Sequence, residues 1–360
     1  MALRVLVDNL REGSILTEDV LSKTNRPIMS KNTVLSEHLI NILKIFLVKE
    51  VNVEKTLVNG MPYSTPTTGK DSVDDDKPDR TFVGLFLQAK QEFKKEFISW
   101  QSGMPINIAK LRSIVLPLIE QTDMNSADIF HLHHYTSKTE YLYDHPLAVG
   151  IISAFIAKKI NYSKGEVAQI ALAGCLSDCG MAKISPSLLN KSTALTVEEF
   201  EEIKKHPTFS YQMVKNSPLL KDTSKLAILH HHERMDGSGY PFGEKASRIH
   251  PYAKVLAVAD SFHAMTSERI YKPKHSPFKV LETINEDLFG EFDITVLKAL
   301  STAIMNYSVG TKIRLSNGQS AEIIFVDEKN PARPLVKLLE SKQILALEKH
   351  RYLHIEEIIH

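Results

Sequence analysis

From about residue 81 to about residue 306, apolar residues recur at the 3.6-residue spacing of helices, segment after segment. No other feature of the chain constrains its fold as much. Phe82–Ile98 and Ile106–Gln121 hold the period over several turns, and Pro146–Ile160 and Lys164–Leu176 follow. Thr196–His206 opens with Thr196 and, three residues on, Glu199, a pair whose side chains can each bond the other's backbone N–H at a helix start. Pro207–Asn216, Leu219–His232, Pro251–Ser267, Pro277–Asp287 and Ile294–Met305 complete the series. Such a region must bury helix faces against one another, so the expected class is mainly α, a helical bundle.

Both flanks change period. Residues 1–57 read as a small α/β module: Arg4–Val7, Ser14–Val20, Pro27–Met29 and Phe46–Val53 are strand-like, and Ser36–Ile45 is helical. Residues 58–80 contain prolines, serines, threonines and an Asp74-Asp75-Asp76 run, and are expected to be a tether. Residues 307–360 switch to period two. Lys312–Leu315 and Ala321–Val326 flank Ser316-Asn317-Gly318-Gln319, a hairpin signal, and Leu335–Leu339, Ile344–Leu347 and Leu353–Ile355 add strands. A small SH3-like β module is expected there. The bundle domain is thus residues 81–306.

The charge balance excludes some partners. A formal net charge of +1 implies no general attraction to nucleic-acid polymers or anionic membranes. No secretory leader and no run of about 18 apolar residues is visible. The two cysteines, Cys175 and Cys179, form no disulfide framework, so a reducing cytoplasm is expected. They read as small core residues, or as a thiolate ligand beside Asp178.

The chemistry concentrates in His230-His231-His232-Glu233-Arg234-Met235-Asp236-Gly237-Ser238-Gly239-Tyr240-Pro241. Adjacent imidazoles are good first-row metal ligands, and the glycine-rich turn that follows opens a helix end towards a cleft. His145, Asp178, His206 and Asp260 join His231 and His232 over about 115 residues. Imidazoles with carboxylates suit iron or manganese, with zinc or nickel as alternatives. A carboxylate such as Asp178 can bridge two metals about 3.5–4 Å apart. Taken singly each residue is weak, since a histidine before proline such as His206 is more often a surface or cap residue.

The order and spacing of this set, with the Gly239-Tyr240-Pro241 turn, resemble the HD-GYP family over roughly residues 130–305. Its members are helical, metal-dependent phosphodiesterases of cyclic di-GMP. The resemblance implies His145, Asp178, His206, His231, His232 and Asp260 as metal ligands, Asp178 also serving catalysis. It implies Arg234 and Tyr240 beside the substrate and Arg269 as a phosphate-side arginine, whose guanidinium can grip phosphate bidentately. Expected partners are cyclic di-GMP or a related guanine dinucleotide, a diguanylate cyclase domain at the Gly239-Tyr240-Pro241 loop, and a second copy in a homodimer. His230, His263 and His131, His133 and His134 match no ligand position and are read as solvated or core residues.

The chain departs from the family pattern at three places. Ser177 stands where the family has the histidine of its His-Asp pair. Met181 stands where it has a lysine near phosphate; Lys183, two residues on, is the candidate replacement. Tyr141 stands where some members have a glutamate that supports a third metal, so a trinuclear centre is not expected. Losing a ligand and a cation harms the transition state more than ground-state binding. The expectation is therefore a metal-binding protein that binds cyclic di-GMP with impaired turnover; the alternative is an active phosphodiesterase yielding pGpG and GMP.

Overall fold

The computed structural model describes residues 2–21, 27–45, 48–63, 82–121, 129, 132–136, 139–191, 193–267, 275–286, 288–327 and 330–359. In the N-terminal module, β1 (Leu3–Leu6), β2 (Val20–Leu21), β3 (Pro27–Met29), α1 (Glu37–Ile45) and β4 (Glu50–Val53) follow in order. β1 pairs antiparallel with β4, from Leu3 opposite Val53 to Leu6 opposite Glu50, and β2 pairs with β3. Val5, Leu16, Leu35, Leu43 and Val53 form a small core of their own.

The bundle comprises α2 (Phe82–Gln101), α3 (Ile108–Gln121), α4 (Tyr141–Lys159), α5 (Lys164–Leu176), α6 (Pro186–Leu189), α7 (Val197–Ile203), α8 (His206–Val214), α9 (Asp222–His230), α10 (Pro251–Thr266), α11 (Pro277–Glu286) and α12 (Ile294–Ile304). Ser163 and Glu166 close a capping box at the start of α5, and Thr196 and Glu199 close the expected one at α7. α4 and α5 pack most extensively. Glycine is required where they cross. A Cβ on Gly174 would stand 2.8 Å from the Cα of Gly150, closer than carbon atoms approach without contact. This antiparallel pair brings the first turn of α4, with His145, beside the end of α5, with Asp178.

α4 begins at Tyr141, five residues before the proline that reads as its start. The turn ahead of Pro146 is held from outside. Lys90 of α2 is fully buried and its ammonium lies 2.7 Å from Asp144 Oδ1 and 2.9 Å from Glu140 Oε2. That hold outweighs the single hydrogen bond the proline forgoes. Lys90 also donates to the carbonyl of Val58 at 3.2 Å, and Gln91 donates to that of Asn59. The first residues assigned by composition to the tether therefore dock on α2, with Tyr63 buried; residues 64–81 lie outside the described residues.

At the C-terminus, β5 (Lys312–Leu315), β6 (Ser320–Phe325), β7 (Leu335–Leu338), β8 (Ile344–Ala346) and β9 (Ile355–Ile359) form an antiparallel sheet in the order β8-β7-β6-β5-β9. The Asn317-Gly318 turn joins β5 to β6, with Gly318 at φ +83°. The last strand lies later than Leu353–Ile355, because pairing of Ile359 with Lys312 and of Ile355 with Leu315 sets its bounds. The apolar core runs without a break from the bundle into this sheet, through Ile313, Ile323, Val336 and Ile355. Arg333 is buried against Glu282 of α11, and its guanidinium also donates to the carbonyls of Leu347 and Leu353. Ser276 Oγ donates to the Ile355 carbonyl at 2.7 Å. Among the described residues no helix is long and apolar enough to cross a membrane.

Candidate metal centre

The structure brings six of the sequence-predicted residues together from five elements. His145 comes from α4 and Asp178 from the turn after α5. His206 opens α8, His231 and His232 follow α9, and Asp260 comes from α10. Donor atoms of Asp178, His206, His231 and His232 all lie within 4.8 Å of one another.

Two histidines are oriented by the backbone. His206 Nδ1 lies 2.8 Å from the Ile203 carbonyl and His231 Nδ1 2.7 Å from the Ile228 carbonyl. A carbonyl only accepts, so in the neutral rings each Nδ1 carries the proton and each Nε2 presents a lone pair. Those Nε2 atoms stand 3.3 Å apart, and 3.2 and 3.4 Å respectively from Asp178 Oδ1. Asp178 Oδ1 is buried with no hydrogen-bond donor. With the rings neutral, three lone pairs converge on one point, as donors to a single cation do. The separations are those of donors sharing one ion at about 2.0–2.2 Å. The residues fit a metal.

Asp178 faces two ways. Its Oδ2 lies 3.7 Å from His145 Nε2, which is itself 2.9 Å from Asp260 Oδ1. The other oxygen of Asp260 is 3.5 Å from His232 Nδ1. Burial works against a charge on Asp178, but His206, His231 and His145 outweigh it and hold the carboxyl well below the usual carboxylate range. Asp260 is displaced in the same direction, burial being overcome by His232 and His145. Burial, then His231, pushes the His232 imidazole well below its ordinary value, so it is neutral, as a ligand must be.

The signature loop is clamped onto this cluster. Tyr240 stacks on the His232 ring with centroids 4.6 Å apart and planes at 29°. Its N–H donates to the His232 carbonyl at 3.2 Å. Gly239 has no room for a Cβ, since the backbones of His232, Glu233 and Arg234 surround it. Glu233 is buried, yet its carboxylate turns from the cluster and accepts the N–H groups of Phe242 at 2.8 Å and Glu244 at 2.9 Å. Arg234 donates to Ser261 Oγ at 3.2 Å, pairs with Glu291 at 3.6 Å and lies over the Phe292 ring at 4.8 Å.

The departures are now placed. Ser177 is buried and donates to the Gly174 carbonyl at 2.8 Å, one turn back in its own helix. Met181 packs against the core, and Lys183 is exposed at the end of the 3-10 turn Cys179–Lys183. Both cysteines are buried and neither joins the cluster of donor atoms: Cys179 Sγ faces the Ser210 carbonyl at 3.8 Å, and burial raises both thiols, that of Cys179 to about 12. Arg269 lies outside the described residues. Sequence reasoning missed Glu233 as a clamp and His263 as a neighbour of the site, whose Nδ1 is 2.9 Å from His145 Nδ1. The one signal for His263 was its spacing of three from Asp260, which shares its helix face.

Residues 119–296 match the HD domain family model. A cyclic di-GMP phosphodiesterase of Pseudomonas aeruginosa is 29% identical over 257 residues, covering 71% of this chain and 62% of that protein. One from Thermotoga maritima is 40% identical over 150 residues, 40% of each chain. One from Borreliella burgdorferi is 32% identical over 180 residues, 50% of this chain and 46% of the relative. The chain thus spans between 40% and 62% of the length of these relatives. Among solved structures, an HDG"Y"P protein from Bdellovibrio bacteriovorus shares the fold with a TM-score of 0.51, at 14% identity, over 83% of this chain and 98% of that one.

Proposed function

We propose, from the premise that the chain belongs to the HD-GYP family, that it binds a divalent metal and cyclic di-GMP at the Asp178 cluster and hydrolyses that dinucleotide slowly or not at all. The observation that carries this reading is the convergence of Asp178 Oδ1 with the bare Nε2 atoms of His206 and His231. His206, His231, His232 and Asp178 would hold one ion, and His145, Asp260 and the second oxygen of Asp178 would hold another more weakly, for want of a histidine at Ser177. Imidazole and carboxylate donors suit iron or manganese first, then zinc or nickel. A metal there supplies Lewis acidity towards a phosphate oxygen and acidifies water.

The protein's own groups do the rest. Asp178 spans both halves of the cluster and offers a carboxylate that stays charged at neutral pH. Tyr240, stacked on His232, walls the site with a ring that a guanine base can meet. Arg234, tied beside Asp260 through Ser261, and Arg269 answer phosphate charge. Lys183, the lysine nearest in sequence to Asp178, is exposed at the end of its 3-10 turn and replaces only in part the cation that Met181 leaves out.

Elemental analysis with a cyclic di-GMP turnover assay on the same sample tests this. At least one metal per chain and weak turnover are expected. Ser177→His with Met181→Lys should raise the rate more than either change alone, because both act on one transition state. Rapid hydrolysis by the unmodified chain overturns the claim of impaired turnover, and metal-free protein that takes up no divalent ion overturns the whole reading.

A further inference from the structure

Both ring nitrogens of His145 are addressed from one helix. Asp260 and His263 stand three residues apart on α10, hence on one face. Asp260 Oδ1 lies 2.9 Å from His145 Nε2, and His263 Nδ1 lies 2.9 Å from His145 Nδ1. His263 is buried, 1% exposed, and its Nε2 is 3.2 Å from Ser267 Oγ. Tyr141, one turn before His145 on α4, brings its hydroxyl 3.0 Å from the same Nδ1 and lays its ring along the imidazole at 4.8 Å and 19°.

A histidine serves as a ligand only when something fixes which nitrogen faces the ion, usually a partner on the other nitrogen. For His206 and His231 that partner is a backbone carbonyl. For His145 it is a side chain. When His145 Nε2 offers its lone pair towards Asp178 and Asp260, the ring proton sits on Nδ1. His263 Nδ1 is placed to accept it beside the Tyr141 hydroxyl, and His263 Nε2–H then reaches Ser267 Oγ. The carbonyls of Ile203 and Ile228, which orient His206 and His231, take no part in this chain of contacts, whereas Asp178 and Asp260 touch both sides of the cluster.

We infer that His263 is a positioning residue for His145, setting how well the His145–Asp178–Asp260 side of the cluster takes a divalent cation while leaving the His206–His231–His232 side alone. This rests on the metal-binding reading above. It also predicts a contact in the metal-free protein that does not depend on that reading.

The test uses the full chain stripped by chelation and titrated calorimetrically with Mn2+. The weaker class of sites should lose about ten- to a hundred-fold in affinity on His263→Leu, the range for losing an outer-sphere partner. The tighter class should hold. His263→Asn, whose amide stands where Nδ1 stands, should restore most of the loss, which a side chain needed only for volume would not require. With His145→Ala already present, His263→Leu should do nothing more to the weaker class. Equal weakening of both classes, no weakening, or failure of asparagine to rescue overturns the inference. A parent chain that binds no Mn2+ refutes the metal reading instead. The inference is then decided by nitrogen-15 spectra of imidazole-labelled, metal-free protein. The His145 Nδ1 resonance, assigned by its loss in His145→Ala, should move in His263→Leu and return in His263→Asn; an unmoved resonance refutes the contact.

Discussion

Replacing Lys90 with methionine should destabilise the chain far more than a change of one side chain of similar length ordinarily does. The ammonium has no exposure and meets Asp144 at 2.7 Å, Glu140 at 2.9 Å and the Val58 carbonyl at 3.2 Å. Glu140 would keep Lys94 at 2.7 Å, but Asp144 is fully buried and would lose the ammonium that stands 2.7 Å from it. Stripping one partner from a buried pair costs about 3–5 kcal/mol. The lost bond to Val58 adds about 1 kcal/mol and loosens the N-terminal module. Lys90→Met with Asp144→Leu removes both charges and should recover most of that loss, because apolar pairs often replace buried ion pairs at little cost. Urea unfolding followed by the fluorescence of Trp100 reads it directly, since this is the single tryptophan and is buried on the same helix. A single variant within about 1 kcal/mol of the parent, or a double variant as weak as the single, would refute an ion pair that depends on mutual compensation.

Three further outcomes follow from the site. His206→Ala together with His231→Ala should strip the bound metal, read by elemental analysis, and unchanged content would disprove the ligand set. Arg269→Ala should weaken cyclic di-GMP binding by about 1.5–3 kcal/mol in calorimetry of metal-loaded protein, the range for hydrogen bonds to a charged group. The metal-free protein should lose stability as pH falls from 7.5 to 5. Burial first of all holds the His232 imidazole below its ordinary value, and His230 and His250 shift the same way. The unfolded chain then takes up protons below about pH 6.5 that the folded chain refuses. Asp178 and Asp260, displaced downward, act lower: their contribution is complete above about pH 4 and is lost as pH falls further. A flat urea midpoint between pH 7.5 and 5 would contradict a buried neutral His232.

The legible part of this protein was whatever depends on residue type and local period. Helix α5 falls on Lys164–Leu176 as its spacing predicts, and the hairpin at Asn317-Gly318 follows from turn chemistry. The six clustered ligand candidates were legible through the order and spacing that resemble the HD-GYP family; by residue type alone none of them stood out. What stayed hidden depends on distant partners. Pro146 looks like a helix start until Lys90 is seen holding the turn before it. Val58 and Asn59 look like tether until their carbonyls are seen on α2. Glu233 is one glutamate among many until its carboxylate is found under the loop.

The continuity of bundle and sheet changes where this molecule can be divided. A change of sequence period near residue 307 suggests a seam, but a chain cut there would take Arg333 from buried Glu282, leaving Lys279 at 3.3 Å beside it, and would lay bare the face of α11 that the sheet now covers. It would also release Ser276 from Ile355. Ser276 stands just ahead of α11, and its neighbour His275 donates its N–H to the Met265 carbonyl of α10 at 3.1 Å. The final strand therefore anchors the start of α11 as well as its own sheet, and trimming the tail would reach into the helical bundle through Ser276.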